Sequence, residues 1–273
     1  VSGMAFDWLA AERDLNGAYD GDRAAMARLW AFWGDGKDFN PVDRALGERV
    51  IAHFPQVESL ALHRLAFRSR VVRALVGECG VDQLLVVGVD MPTHDEVHQV
   101  AQAVNPDARV VYADADALVM LHARAMFRGR VGACGFVQAG LDEPRTVLDG
   151  AAATLDLRRP VAVLLINSLD VLTDAQAVAA LAAFRASLAA GSYIALCHLV
   201  AEYDRGLAVL GSICADINPG PPRVRTPEAL AACCTGMVMI RPGLVSAPVW
   251  RPDPRPWPVT ADVDLWCGVG VLP

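Results

Sequence analysis

Leu84-Leu85-Val86-Val87-Gly88-Val89-Asp90-Met91-Pro92-Thr93 is the stretch whose reading decides the fold. Four successive apolar residues without polar alternation describe a strand covered on both faces, as strands of parallel sheets are. Gly88 and Pro92 then interrupt the run, and apolar residues at helical spacing follow near 94–104. The same alternation recurs downstream. Arg109-Val110-Val111-Tyr112, Gly135-Phe136-Val137, Val161-Ala162-Val163-Leu164-Leu165-Ile166 and Ser192-Tyr193-Ile194-Ala195-Leu196-Cys197 read as strands. Helical patterns near 116–127, 145–155 and 174–189 separate them. The repeated unit is βαβ, so the fold class is α/β with a doubly wound, mostly parallel sheet.

Outward from this core, residues 22–77 read as helices broken at Gly34-Asp35-Gly36 and at Phe54-Pro55. They form a helical cap on a core spanning 80–273, within a single domain of 1–273. Residues 219–258 carry ten of the 17 prolines, which predicts irregular crossings around short elements such as Met237-Val238-Met239-Ile240. Leu265 to Leu272 is long enough for a final strand.

The 24 Lys and Arg against 31 Asp and Glu give a net charge of −7, which argues against a nucleic-acid partner. With 54% hydrophobic residues the chain can bury a large core, yet no uninterrupted apolar run reaches the length of a membrane span. Its seven cysteines are an odd number set mostly in apolar runs, so they read as reduced core thiols of a cytoplasmic protein. No basic region ahead of an apolar stretch suggests a targeting signal.

Ligands of open parallel sheets bind beyond the carboxyl ends of the strands, near the point where strand order reverses. The loops after the first, second and fourth strands therefore hold the candidates. Asp90 lies in the first. Asp114, in Asp114-Ala115-Asp116, ends the second strand, where an acidic residue commonly accepts from a ribose diol. Asp170, in Asn167-Ser168-Leu169-Asp170, follows the fourth. His94 and His98 are four apart and would share one helix face beside Asp95 and Glu96, but no further cluster completes a metal site, and none is expected.

A set of ordered segments carries a resemblance over nearly the whole chain. They are Gly36-Lys37-Asp38-Phe39 with Asp43-Arg44, Pro92-Thr93 followed by His98 and Val100-Ala101-Gln102, and Pro106-Asp107-Ala108-Arg109-Val110-Val111-Tyr112. Arg159-Pro160-Val161-Ala162, Gly191-Ser192-Tyr193, Pro242-Gly243-Leu244-Val245 and Trp250-Arg251-Pro252-Asp253 complete it. With these the chain resembles the actinobacterial S-adenosylmethionine methyltransferases of the DUF574 family. The resemblance implies a class I methyltransferase-type Rossmann fold, a seven-stranded mostly parallel sheet with an N-terminal helical cap. It also implies a cofactor site, of which Gly88 and Asp114 are retained.

The chain departs from the family at three places. Where the family opens its glycine-rich loop with Asp stands Val86, where it has a second loop glycine stands Asp90, and where it holds the adenine amino group with Asp stands Gly140. A carboxylate at Asp90, stabilised at a helix N-terminus, is expected to repel the methionyl carboxylate and turn the cleft toward a cation. The resulting expectation is a divergent member with an eroded loop and no cofactor. It would be an enzyme of bacterial secondary metabolism that catalyses elimination or intramolecular substitution, such as aziridine ring closure with loss of sulfate, on an amino-acid-like small molecule. Asp90 or Asp170 would take the amine proton, His63 would serve as an acid or base, and Lys37 or Arg64 would steady the departing anion. The alternatives are an S-adenosylmethionine-dependent small-molecule methyltransferase and a non-catalytic subunit that binds a partner chain. A small partner subunit completing the site is compatible with each.

Overall fold

The computed structural model describes residues 21–130, 132–217, 220–254 and 261–273. Its sheet follows the order β3-β2-β1-β4-β5-β8-β6, with the two-residue β7 paired to β8 off that path. The strands are β1 (Gln83–Val87), β2 (Arg109–Ala113), β3 (Cys134–Val137), β4 (Ala162–Ile166), β5 (Tyr193–Leu199), β6 (Val238–Met239), β7 (Val245–Ser246) and β8 (Leu265–Val271). The first five pair in parallel, whereas β8 runs antiparallel to β5, β6 and β7. The main path thus holds the seven strands expected, and β7 is an eighth.

Side-chain alternation along the pleat explains why the central strands are apolar throughout. Leu84 and Val86 enter one hydrophobic cluster, and Leu85 and Val87 enter the other. On the first side lie α1 (Met26–Trp33), α2 (Pro41–His53), the 21-residue α3 (Val57–Gly77) and α4 (Val97–Val104). The second side is covered by α6 (Pro144–Ala151), α7 (Asp174–Ser187) and α9 (Pro227–Cys233). Two further helices, α5 (Ala117–Met126) and the one-turn α8 (Leu210–Ile213), complete the set.

Each break in the N-terminal helices has a local cause. Gly34 closes α1, while α2 starts at Pro41 behind a capping box in which Asn40 and Asp43 each accept from the other's backbone. Asp43 also accepts from Ala25 N at 3.0 Å and from Arg28 Nε at 2.7 Å, locking α1 to α2 through a buried ion pair. Arg70 of α3 donates to the carbonyls of Trp250 and Ala247, and the Phe67 and Trp250 rings meet edge to face at 5.2 Å. These contacts tie α3 to the C-terminal segment, and its face packs over β4 and β8. No helix among the described residues is long and apolar enough to cross a membrane.

Candidate functional site

Strand order reverses at β1, which pairs with β2 on one side and β4 on the other. A cavity of about 460 Å³ opens there, within the range of small-molecule sites. Its floor is formed by Gly88 to Asp90, Asp114 to Ala117 and Ile166 to Ser168. Gly140 to Asp142 and Asp170 to Leu172 wall it, and Met26 and Trp30 of α1 cover it.

Gly88 has φ +84°, and a Cβ placed on it would sit 2.3 Å from the Ser168 Cβ. Only glycine allows the β1 and β4 loops to approach so closely. Gly88→Ala is expected to lower stability by about 2 kcal/mol and to constrict the cavity, measurable as a melting temperature lower by about 4–8 °C.

Asp114 is half-buried at the end of β2. Its Oδ2 accepts from Val89 N at 2.6 Å and its Oδ1 from Asp116 N at 2.8 Å. Burial pushes its pKa up to about 7 against the lowering effect of these two N–H groups, while Asp116 and Asp90 push it further up. Each oxygen keeps a second lone pair, so the carboxylate can still receive two hydroxyl donors.

The loop after β1 is built differently from the expectation. Asp90 does not sit at a helix N-terminus, because α4 starts only at Val97, behind an N-cap at Glu96 and a left-handed Asp95 at φ +58°. What holds Asp90 is Arg64, whose Nη1 lies 2.5 Å from Oδ2. The Arg64 guanidinium also stacks over Trp30, 4.7 Å from the ring centre. Arg68, one helical turn along α3, donates to Thr93 Oγ1 and to the carbonyls of His94 and Asp95, and pairs with Glu96 at 3.5 Å. Two arginines on one helix face thus staple the loop. Arg64→Met is expected to destabilise the fold by about 3 kcal/mol, since it strands a largely buried carboxylate, and adding Asp90→Asn should restore most of the loss in urea unfolding.

The remaining candidates separate. Arg64 is buried and does not line the cavity, so it balances charge there and does not steady a leaving anion. Lys37 is half-buried between α1 and α2 and is not part of the lining. His63 is buried one residue from Arg64 on α3 and also lies outside the lining; burial, then Arg70, lowers its pKa to about 4 and keeps it neutral. Asp90 Oδ2 is taken up by its ion pair with Arg64. His94 is exposed ahead of α4, whereas His98 is buried against the Tyr112 hydroxyl, 2.9 Å from Nδ1, so the two do not share a face. Val86 is part of the apolar core. A side chain at Gly140 would meet Asp142 Oδ1 at 2.6 Å, and Asp142 itself lines the cavity. The carboxylate missing at 140 is therefore present two residues later.

In the loop after β4, sequence reading named Asp170 but passed over Asn167 and Ser168. Asn167 has φ +59°, and its Oδ1 and Nδ2, with Ser168 Oγ and Asp170 Oδ2, are buried without a hydrogen-bond partner among the described residues. Burial pushes the Asp170 pKa up to about 7, opposed by Arg64 and Arg225 and reinforced by Asp90. Arg225 fixes this loop from behind, donating to the carbonyls of Leu169 at 2.9 Å and Leu172 at 2.7 Å and pairing with Asp174 at 3.0 Å. Its Nη1 also lies 2.6 Å from His198 Nε2, which burial and Arg225 keep neutral.

Residues 13–273 match a family model described as S-adenosyl methyltransferase. The crystal structure of a candidate methyltransferase from Thermobifida fusca YX is 30% identical, with a TM-score of 0.85 over 93% of this chain and 96% of that one. A DUF574 family protein from Streptomyces avermitilis MA-4680 is 28% identical, with a TM-score of 0.88 over 93% of this chain and 99% of that one. The magnesium protoporphyrin IX methyltransferase of Synechocystis PCC 6803, solved with bound S-adenosylmethionine, shares the fold at 13% identity and a TM-score of 0.52 over 100% of both chains. No curated protein matches the chain. The family match overturns the expectation of a protein without a cofactor and leaves the elimination and ring-closure reading unsupported. The physical premise behind that expectation fails as well, since Arg64 neutralises the carboxylate thought to repel the cofactor.

Proposed function

Because the chain belongs to the S-adenosyl methyltransferase family, we propose that it moves a methyl group from S-adenosylmethionine to a small-molecule acceptor held in this cavity. The observation that carries the reading is Asp114, whose two oxygens are aimed by Val89 N and Asp116 N at the end of β2 and keep lone pairs for the ribose hydroxyls. Gly88 lets backbone approach the ligand, Asp142 accepts from the adenine amino group, and Asp90, balanced by Arg64, takes the methionyl ammonium. The charge of the site suits this ligand. Among the described residues the lining contains Asp90, Asp114, Asp116, Asp142 and Asp170 and no Lys or Arg, while a sulfonium and an ammonium outweigh one carboxylate.

When bound, S-adenosylmethionine would supply an electrophilic methyl group with its sulfur as the leaving group. The protein's own contribution is to hold the acceptor close, to keep water out beneath Met26 and Trp30, and to receive the acceptor's proton. Calorimetric titration with S-adenosylmethionine and S-adenosylhomocysteine tests the reading. Micromolar binding of both is expected, and no heat from either at millimolar ligand overturns it.

A further inference from the structure

The loop after β4 is unsatisfied in a way that specifies a ligand. Asn167 and Asp170 are 5% and 3% exposed, both line the cavity, and the Asn167 amide and one Asp170 oxygen have no partner among the described residues. Leaving a buried polar group unpaired is costly, so a loop carrying several of them side by side is shaped for a bound molecule. The left-handed φ of Asn167, unusual outside glycine, is the kind of strain that persists where surrounding structure enforces it. Here Asn167 N donates to Cys197 O, Arg223 N donates to Asp170 O, and Arg225 holds Leu169 and Leu172.

Resting on the methyltransferase reading, we propose that Asn167 and Asp170 form the acceptor subsite, that the acceptor is a small primary or secondary amine, and that Asp170 removes its proton. The amide oxygen of Asn167 and the free oxygen of Asp170 are acceptors suited to an ammonium N–H. A carboxylate or phosphate acceptor would meet Asp90 and Asp170 with no Lys or Arg among the described lining residues to offset them. The step balances. One ammonium proton passes to Asp170 Oδ2, and its electron pair stays on nitrogen as the lone pair that forms the new carbon–nitrogen bond; the proton then leaves for solvent. The charged groups facing Asp170 are Arg64 from α3, Asp90 from the β1 loop and Arg225 from the segment crossing behind it. Burial outweighs the two arginines and, with Asp90, leaves its carboxyl titrating at about 7, suited to exchanging a proton near neutrality.

The test uses protein saturated with S-adenosylhomocysteine and three probes sharing one apolar body that suits Trp30, Val171 and Leu172: phenethylamine, phenethyl alcohol and phenylacetate. Calorimetry at about pH 6, in two buffers of different ionisation heat, reads affinity and proton exchange together. Phenethylamine is expected to bind at least about tenfold more tightly than the other two and to release a proton as Asp170 ionises beside the ammonium. Asp170→Asn is expected to lose about tenfold in amine affinity and all of the proton release, with S-adenosylhomocysteine affinity unchanged. The proposal is overturned if the alcohol or the acid binds as well as the amine, if no probe binds, or if the proton release survives in Asp170→Asn. Failure of S-adenosylhomocysteine to bind at all overturns the methyltransferase reading first, and this proposal with it.

Discussion

Asp114→Asn is expected to weaken S-adenosylmethionine binding by at least about 100-fold, near 3 kcal/mol, while leaving the protein folded. The substitution preserves shape, and its effect is chemical. Both carboxylate oxygens accept backbone N–H groups, from Val89 at 2.6 Å and Asp116 at 2.8 Å. Whichever way the amide of an asparagine is turned, its NH2 faces one of those donors and two hydrogens compete for one space. Either the loop after β1 loses its Val89 bond to Asp114 or the turn to Asp116 loses its own, and one lone pair meant for a ribose hydroxyl is replaced by a donor. Calorimetry on the variant, with circular dichroism to confirm the fold, decides the matter. Unchanged affinity would remove Asp114 from the cofactor site.

The sheet was legible because its chemistry is local. Residues buried on both faces must be apolar at every position, so Leu84 to Val87 and Val161 to Ile166 announce β1 and β4 without reference to the rest of the chain. The helix breaks at Gly34 and Phe54-Pro55 were legible for the same reason. Site chemistry was only half visible. Asp114 and Asp170 are found by position at the ends of strands, and both line the cavity. The charge of Asp90 could not be judged from its neighbours in sequence, because its partner Arg64 lies 26 residues earlier on another element. A helix carrying Arg64 and Arg68 one turn apart was the available signal, two long cations on one face of a segment otherwise rich in apolar residues. The role of Arg225 had no such signal. It sits in a proline-rich crossing, and its contacts with Leu169 and Leu172 exist only once β5 has placed His198 and the β4 loop beside it. Reading the loop substitutions as erosion followed from treating them singly, whereas the structure supplies a counter-charge for Asp90 and a carboxylate at Asp142 near the vacant position of Gly140.

Asp170→Asn is expected to move stability and activity in opposite directions. A carboxyl titrating at about 7 in the fold and at about 3.9 in the unfolded chain is protonated in the first and ionised in the second between those values. The folded state then binds the extra proton, so Asp170 makes stability fall as pH rises from about 4 to about 7, and the loss is complete above that. Asparagine carries no charge at any pH and escapes the loss. Its advantage over the wild type should therefore grow by roughly 3 kcal/mol between about pH 5 and pH 8, the part of the window that lies above pH 5. Comparing the two pH values isolates ionisation, because the burial cost of the new amide is the same at both. His63 and His198, lowered to about 4 and about 3, contribute the opposite slope, but equally in both proteins, so they cancel from the difference. Methyl transfer to an amine should meanwhile drop by about 10²–10⁴-fold, the usual loss when a proton acceptor is removed. Urea unfolding at the two pH values, beside a labelled-methyl assay, reads both quantities. A stability gain without loss of transfer would make Asp170 a structural residue, and a loss of transfer without the pH-dependent gain would show that its carboxyl is already ionised near pH 5. The two changes together would mark a group kept buried, at a cost to the fold, for the proton it carries.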